Sequence, residues 1–334
     1  MNYELDGFII ARVISESKGS YEVVSKNGNF IARVTGKQML DASSRDDYPA
    51  VGDWVTITEL DQKQVVIHKI LPRKTIIKRS RRNNEIQIIG TNIDVVFIVE
   101  SVNRDYNLNR FERYFAIVKN QDIQPVIILN KIDLISQDEL DLIISQTQKR
   151  FNNIDIILTS VFRKEGINNL KDYIKKDKTY CFLGSSGVGK SSLINSLIGS
   201  DDIKTGDISS YSERGKHITT KRKMYFLESG GIVIDNPGIR GIGVMDNKVE
   251  ESFDEIIELA KNCKYSDCTH TSERDCAVLK SLEQGTLDKS KYNNYINLKK
   301  ETEFYEMSTL EKRKKDKNFG RFIKKAKKDL ERCE

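Results

Sequence analysis

At 334 residues, 38% hydrophobic and 31% charged with a formal net charge of +6, the chain has the composition of a soluble protein and the length for two or three domains. No apolar run approaches the roughly 20 residues of a membrane span, and the N-terminal Met1-Asn-Tyr-Glu-Leu-Asp6 lacks the basic stretch and apolar core of a secretion signal. Membrane and secreted classes are therefore set aside, and a cytoplasmic location is expected. The positive charge is modest in sum but clustered, which points to a polyanionic partner more than the total does.

Residues 7–70 read as short strands, Gly7–Val13, Ser20–Val24, Asn29–Val34, Asp53–Ile57 and Gln64–Ile67, β-branched or aromatic and separated by turn residues such as Asn27-Gly28 and Gly52. This density of short strands suggests a small β-barrel, with an oligonucleotide-binding (OB) type the natural candidate and an SH3-like barrel nearly the same in sequence. Trp54, flanked by apolar residues, reads as core rather than as a platform for a nucleic-acid base. Between Arg73 and Arg82 stand six basic residues (Arg73, Lys74, Lys78, Arg79, Arg81, Arg82) and no acid. Such a run reads either as a solvated linker or, beside this barrel, as an RNA contact.

Apolar strands with helical crossovers follow, the pattern of a parallel α/β sheet: Asp94–Val99, Pro125–Leu129, Asp155–Leu158 and Thr179–Leu183. Asn130-Lys131-Ile132-Asp133 falls at the carboxyl end of the second strand, where such sheets bind ligands. An aspartate there accepts two hydrogen bonds from the N1–H and 2-amino group of guanine. Adenine offers neither donor, so Asp133 selects against it. Thr159-Ser160, closing the third strand, is expected either to complete the guanine site through its backbone or to form a simple turn.

The fourth strand runs into Gly184-Ser185-Ser186-Gly187-Val188-Gly189-Lys190-Ser191, and Ser192–Ile198 repeats apolar residues at helical spacing. Strand, glycine loop and helix are the context a P-loop needs. Its backbone N–H groups turn toward one anion at a helix N-terminus. Lys190 is expected to reach the β- and γ-phosphates and Ser191 to hold a Mg²⁺. Further on, Gly215-Lys-His217-Ile218-Thr219-Thr220 lies in a polar loop, and Gly231–Asp235 forms a strand ending in Asp235-Asn236-Pro237-Gly238. There Asp235 is expected in the Mg²⁺ shell and the Gly238 N–H against the γ-phosphate. Ras-like GTPases place the guanine motif after these elements. Here it comes first, so the order is circularly permuted.

That order behind a barrel resembles the circularly permuted GTPases of small ribosomal subunit biogenesis, across essentially the whole chain. The likeness rests on Val51-Gly-Asp-Trp-Val55, Asn130–Leu134, Gly187–Asn195, Gly215-Lys-His217, Asp235-x-Pro-Gly-Ile-Arg240 and a cysteine-rich segment. It implies binding of GTP and GDP, hydrolysis stimulated by the small subunit and its rRNA, and a monomer without a membrane partner. Two departures stand out: Ile218 where the family has Thr, and Asn236 where it has Thr. The first leaves Thr219 and Thr220 as alternatives for reaching the Mg²⁺.

Beyond residue 245 the chain turns helical and charged, and Cys263-x4-Cys268-x-His270-x5-Cys276 offers three thiolates and one imidazole, a closed tetrahedral set for a structural Zn²⁺. Glu311–Glu334 carries eleven Lys or Arg against five Asp or Glu and reads as a solvated helix or, through Phe319-Gly-Arg-Phe322, as an RNA-docking tail. The expected organisation is an OB-like barrel at 1–70, a permuted α/β P-loop GTPase domain at 71–245 and a mainly helical zinc domain at 246–334. Ile239 occupies the place of the water-orienting Gln that follows Asp-x-x-Gly in ordinary GTPases, so intrinsic hydrolysis should be slow. His217 is the candidate to position water, with contact to phosphate or RNA as its other reading. The functional expectation is a GTP-driven checkpoint in small-subunit assembly; a GTP-dependent RNA-binding scaffold or a translation regulator is the alternative.

Overall fold

In the computed structural model the described residues are 4–5, 8–17, 19–80, 86–103, 106–119, 121–199, 222–236, 249, 252–307, 311, 314 and 317. The chain forms two compact units: Met1–Arg79 with Ile86–Ile242, and Ser80–Glu85 with Gly243–Glu334.

The first unit begins with β1 (Glu4–Leu5), β2 (Phe8–Ser17), β3 (Ser20–Ser25), β4 (Gly28–Val34), α1 (Gly36–Asp41), β5 (Trp54–Glu59) and β6 (Gln64–Ile70). The pairing order β2-β3-β4-β6-β5 returns to β2, closing a five-stranded barrel in which only β4 and β6 run parallel. Alternate residues Ala11, Val13, Tyr21, Val23, Phe30, Ala32, Val55, Ile57, Val65 and Ile67 fill its interior, the period of two that a strand with one buried face requires.

The basic stretch after the barrel is a strand, not a solvated linker. β7 (Ile76–Ser80) pairs with β8 (Ile86–Thr91) in a two-stranded ribbon, and Ile77, Ile88 and Ile89 are buried beneath it. Arg73 is turned inward: its guanidinium grips Asp53 through two bonds of 2.8 and 2.7 Å and donates to the carbonyls of Asp46 and Tyr48, each at 2.9 Å. Lys78 pairs with Asp46, and Arg79 donates to Gln87. Several charges of the run are thus engaged within the fold. Arg81 and Arg82 lie outside the described residues.

The α/β sheet is built from β9 (Val95–Ser101), α2 (Leu108–Val118), β10 (Gln124–Asn130), α3 (Gln137–Arg150), β11 (Asp155–Thr159), α4 (Ile167–Tyr173), β12 (Thr179–Leu183), α5 (Lys190–Ile198), β13 (Lys223–Phe226) and β14 (Ile232–Asp235). Its order is β11-β10-β9-β12-β14-β13, parallel throughout except for β13. Val96 and Ile98 of β9 enter one core with Phe111 and Tyr114 of α2, while Val95, Phe97 and Val99 enter another with Leu170 of α4 and Leu193 of α5. Burial on both faces explains why these strands read as unbroken apolar runs.

Barrel and sheet are welded together. β13 pairs with β2 at Lys223 and Ser15. Arg12, buried in the barrel wall, donates to Thr179 Oγ1 at 2.9 Å, to Asn92 O and Gly52 O at 3.3 Å each, and lies 5.1 Å from the centre of the Trp54 ring. Trp54 is accordingly half-buried, and its face is taken by a guanidinium of the protein itself.

The second unit holds α6 (Asp254–Ala260), α7 (Ala277–Glu283) and α8 (Lys289–Glu306). Phe253 and Tyr295 pack edge to face at 5.4 Å, with Ile256, Val278, Leu287 and Leu298 buried alongside. Among the described residues no helix is long and apolar enough to cross a membrane.

Candidate functional site

The carboxyl ends of β10, β11, β12 and β14 converge on the loop from Gly184 to Ser191. Gly184 has φ +152°, and a Cβ there would come within 2.4 Å of Val99 O; at Gly189, φ +99°, it would come within 2.3 Å of Asn130 Nδ2. Only glycine permits both the turn and this close packing. The loop ends as the N-terminus of α5, where unpaired amides and the helix dipole favour an anion.

Asn130 and Lys131 brace this loop. The buried Asn130 side chain donates to Val188 O at 2.8 Å and accepts from Thr159 Oγ1 at 3.0 Å, tying β10, β11 and the P-loop together. Lys131, at φ +63°, donates to Gly187 O at 2.6 Å. On α2, Tyr114 hydrogen-bonds the Ser185 side chain, and burial pushes its phenol up to about 12. Tyr114 was illegible in the sequence, because an apolar-face tyrosine in a helix gives no sign of which loop it supports.

Lys190 is buried and donates to Gly184 O at 2.8 Å and Ser185 O at 2.7 Å. Burial lowers its pKa to about 8, against the opposing pull of the Asp235 and Glu100 carboxylates. Asp235 is buried as well, and burial raises its carboxyl to about 6, opposed by Lys190. Neither carboxylate oxygen of Asp235 has a hydrogen-bond partner among the described residues. A buried, unsatisfied acid beside a phosphate cradle fits the second shell or inner shell of a hard divalent cation, and Ser191 offers the hydroxyl such an ion takes from a P-loop. The neighbouring Asn236 turns its amide to Cys181 Sγ at 3.1 Å, back into the P-loop strand.

Asp133 sits half-buried in a 3₁₀ turn, Ile132–Leu134, that follows β10. Ser160 Oγ donates to Asp133 Oδ1 at 2.5 Å and accepts from the Arg163 N–H at 3.0 Å. The backbone N–H and carbonyl of Ser160 are both taken by Glu165, at 2.9 Å each. Ser160 thus meets Asp133 through its hydroxyl, while its backbone groups close a turn with Glu165. Gly215, His217, Ile218, Thr219, Thr220, Gly238 and Ile239 lie outside the described residues, as does the basic tail around Phe319–Phe322.

In the second unit Cys263, Cys268, His270 and Cys276 bring one ligand atom each within 4.8 Å of one another. A tetrahedral zinc with its usual bond lengths requires about 3.8 Å between two sulfurs and about 3.6 Å between sulfur and nitrogen. Cys263 Sγ and Cys276 Sγ are 3.8 Å apart, and each stands 3.6 Å from His270 Nδ1. His270 takes the left-handed conformation at φ +61°, and Tyr292 donates to its carbonyl at 2.7 Å, so the ligand-bearing turn is held by α8. The cluster can hold a metal ion.

A P-loop on β12, a guanine-type Asn-Lys-x-Asp on a strand that precedes it, and an Asp-bearing β14 beside it define a circularly permuted GTPase. The profile of the RsgA GTPase family matches residues 70–245. The chain is 38% identical over 323 residues to the small ribosomal subunit biogenesis GTPase RsgA 1 of Bacteroides thetaiotaomicron, covering 95% of this chain and 90% of that protein. It is 37% identical over 318 residues to RsgA 2 of Lactiplantibacillus plantarum, covering 94% and 90%. YjeQ from Thermotoga maritima superposes with a TM-score of 0.63 at 26% identity over 88% of this chain and 98% of its own. YloQ, described as a circularly permuted GTPase, shares the fold with a TM-score of 0.61 at 24% identity over 92% and 99%. The chain belongs to the RsgA GTPase family, and it is a GTP-hydrolysing enzyme.

Proposed function

We propose that this GTPase acts in small ribosomal subunit biogenesis, binding rRNA in one nucleotide state and leaving it in the other. The observation that carries this reading is the match over nine-tenths of the chain to relatives named for that process, together with an intact phosphate cradle and guanine-type carboxylate.

The residues divide the work. Asp133, oriented by Ser160, accepts the two guanine donors, and Asn130 and Lys131 hold the P-loop in register with the base site. The amides of Gly184 to Ser192 receive the phosphates. Lys190, whose ammonium rests on the Gly184 and Ser185 carbonyls, exchanges those dipoles for the β- and γ-phosphates, a gain that grows as charge develops in the transition state. Ser191, Asp235 and Thr219 or Thr220 would hold the Mg²⁺, which when bound would supply neutralisation of phosphate charge. Gly238 is the γ-phosphate sensor and His217 the water-positioning group, since Ile239 can neither donate nor accept.

Cys263, Cys268, His270 and Cys276 hold one Zn²⁺ in a folding role, because four protein ligands leave no open position. We further propose the three-part organisation at 1–70, 71–245 and 246–334, with barrel and zinc segment contacting rRNA, and a cytoplasmic monomer whose described cysteines, none in a disulfide, suit a reducing compartment. Co-sedimentation tests the proposal. Protein loaded with a non-hydrolysable GTP analogue should pellet with small subunits and be released by GDP; equal pelleting with large subunits, or indifference to the nucleotide, would overturn it.

A further inference from the structure

Phe162 is 89% exposed, the largest fraction for any big apolar side chain among the described residues. It does not stand on a loose loop. The turn Ser160–Glu165 is closed by reciprocal backbone bonds of 2.9 Å, Lys164 N–H reaches Val161 O at 3.3 Å, and Ser160 Oγ ties the turn both to Arg163 N–H and to Asp133. The Arg163 guanidinium adds a contact to Asp133 O at 3.5 Å. Two peptide units separate Phe162 from Ser160, so their Cα atoms are at most about 7.6 Å apart. A rigid turn thus presents an aromatic ring to water beside the carboxylate that reads the base. An apolar ring held so gains free energy when a partner covers it, and the flat face of a base bound at Asp133 is a partner within its reach.

We propose that Phe162 forms one wall of the base pocket, its ring lying against the face of the purine whose edge Asp133 reads. This rests on the guanine-nucleotide reading of the site and adds a separate task. Stacking is indifferent to which base is stacked, because every base has a π face. Asp133 therefore sets which purine is chosen, and Phe162 sets how tightly it is held.

The two roles separate in titration calorimetry with GDP and ADP. Phe162→Ala should bind GDP roughly five- to a hundredfold more weakly than the parent while keeping the parent's preference for GDP over ADP, and Phe162→Tyr should restore the affinity. Because the ring is exposed, the alanine variant should melt with the parent, so weakened binding cannot come from misfolding. Phe162→Trp should show GDP-dependent quenching of a new indole signal over that of Trp54. Parent binding GDP tightly with Phe162→Ala within twofold of it, and no added quenching in the tryptophan variant, overturns this inference and leaves the GTPase reading standing. A parent that binds neither nucleotide overturns the reading beneath it. Normal GDP binding by Phe162→Ala with lost small-subunit docking reassigns the ring to that partner and also overturns the inference.

Discussion

Arg73→Ala should damage the fold rather than RNA binding alone. The Asp53 carboxylate is wholly buried, with 0% side-chain exposure, and its two oxygens are met by Arg73 and by the Ala50 N–H at 2.8 Å. Removing the guanidinium takes the ion-pair partner from a buried charge, leaving it only the Ala50 N–H and the pull of Arg12, and strips a donor from Asp46 O and Tyr48 O. Breaking a buried pair by taking one partner costs about 3–5 kcal/mol. For a cooperative unit of this size each kcal/mol lowers the melting temperature by about 2–4 °C, so a fall of roughly 6–20 °C is expected. Urea denaturation at low and high salt would measure it, with Lys74→Ala as the exposed control. A double replacement, Arg73→Met with Asp53→Leu, should recover much of the loss because it removes the stranded charge. A loss under about 1 kcal/mol for Arg73→Ala, or one that disappears in high salt, would refute the argument and return Arg73 to the solvent-facing set.

Asp133→Asn should weaken GTP binding and favour xanthosine triphosphate, whose C2 oxygen needs a donor; competition binding with both nucleotides checks it, and equal affinity of the parent for ATP and GTP would contradict the role of Asp133. Elemental analysis should give one zinc per chain, and Cys268→Ser should lose it together with thermal stability; metal-free parent protein of undiminished stability would contradict the site. Asp235 carries a pH signature. Its folded pKa of about 6 lies above the ordinary 3.8, so the folded state keeps a proton that the unfolded state has lost, and stability falls as pH rises through that window, by about 3 kcal/mol in all. In Mg²⁺-free, nucleotide-free buffer Asp235→Asn should abolish this slope and be the more stable protein at pH 7; parallel pH profiles would contradict it.

The motifs were legible because chemistry fixes their spacing. A phosphate cradle needs its glycines, lysine and hydroxyl in one loop, and here all four soft donors of the tetrahedral set fall within one short segment, Cys263 to Cys276. The strands of the sheet were legible because burial on both faces leaves their middles apolar, with the polar residues Glu100, Asn130, Thr159 and Asp235 gathered toward their carboxyl ends. What escaped were the residues whose meaning lies in contacts far along the chain. Arg73 reads as one of six basic residues and becomes a part-buried clamp on a buried acid only because Asp53 lies twenty residues before it. Ile76–Ser80 was hidden as a strand by its charges, although Ile77 anchors it in the core. Trp54 carries no sign that Arg12 will cover its ring, and Asn130, legible as part of a guanine motif, proves also to be the strut between β10, β11 and the P-loop.

The central claim is that the small ribosomal subunit is what this GTPase answers to, and GTP turnover measured with small subunits, large subunits and neither, at saturating GTP and with Lys190→Ala as the blank, tests it most directly. With Ile239 in place of a water-orienting amide, basal turnover should be slow, and small subunits should raise it by as much as the roughly 10³ to 10⁵ available when a missing group is supplied or ordered in trans, with the stimulation fading as salt rises. A rate that is the same with small subunits, large subunits and none would contradict the account.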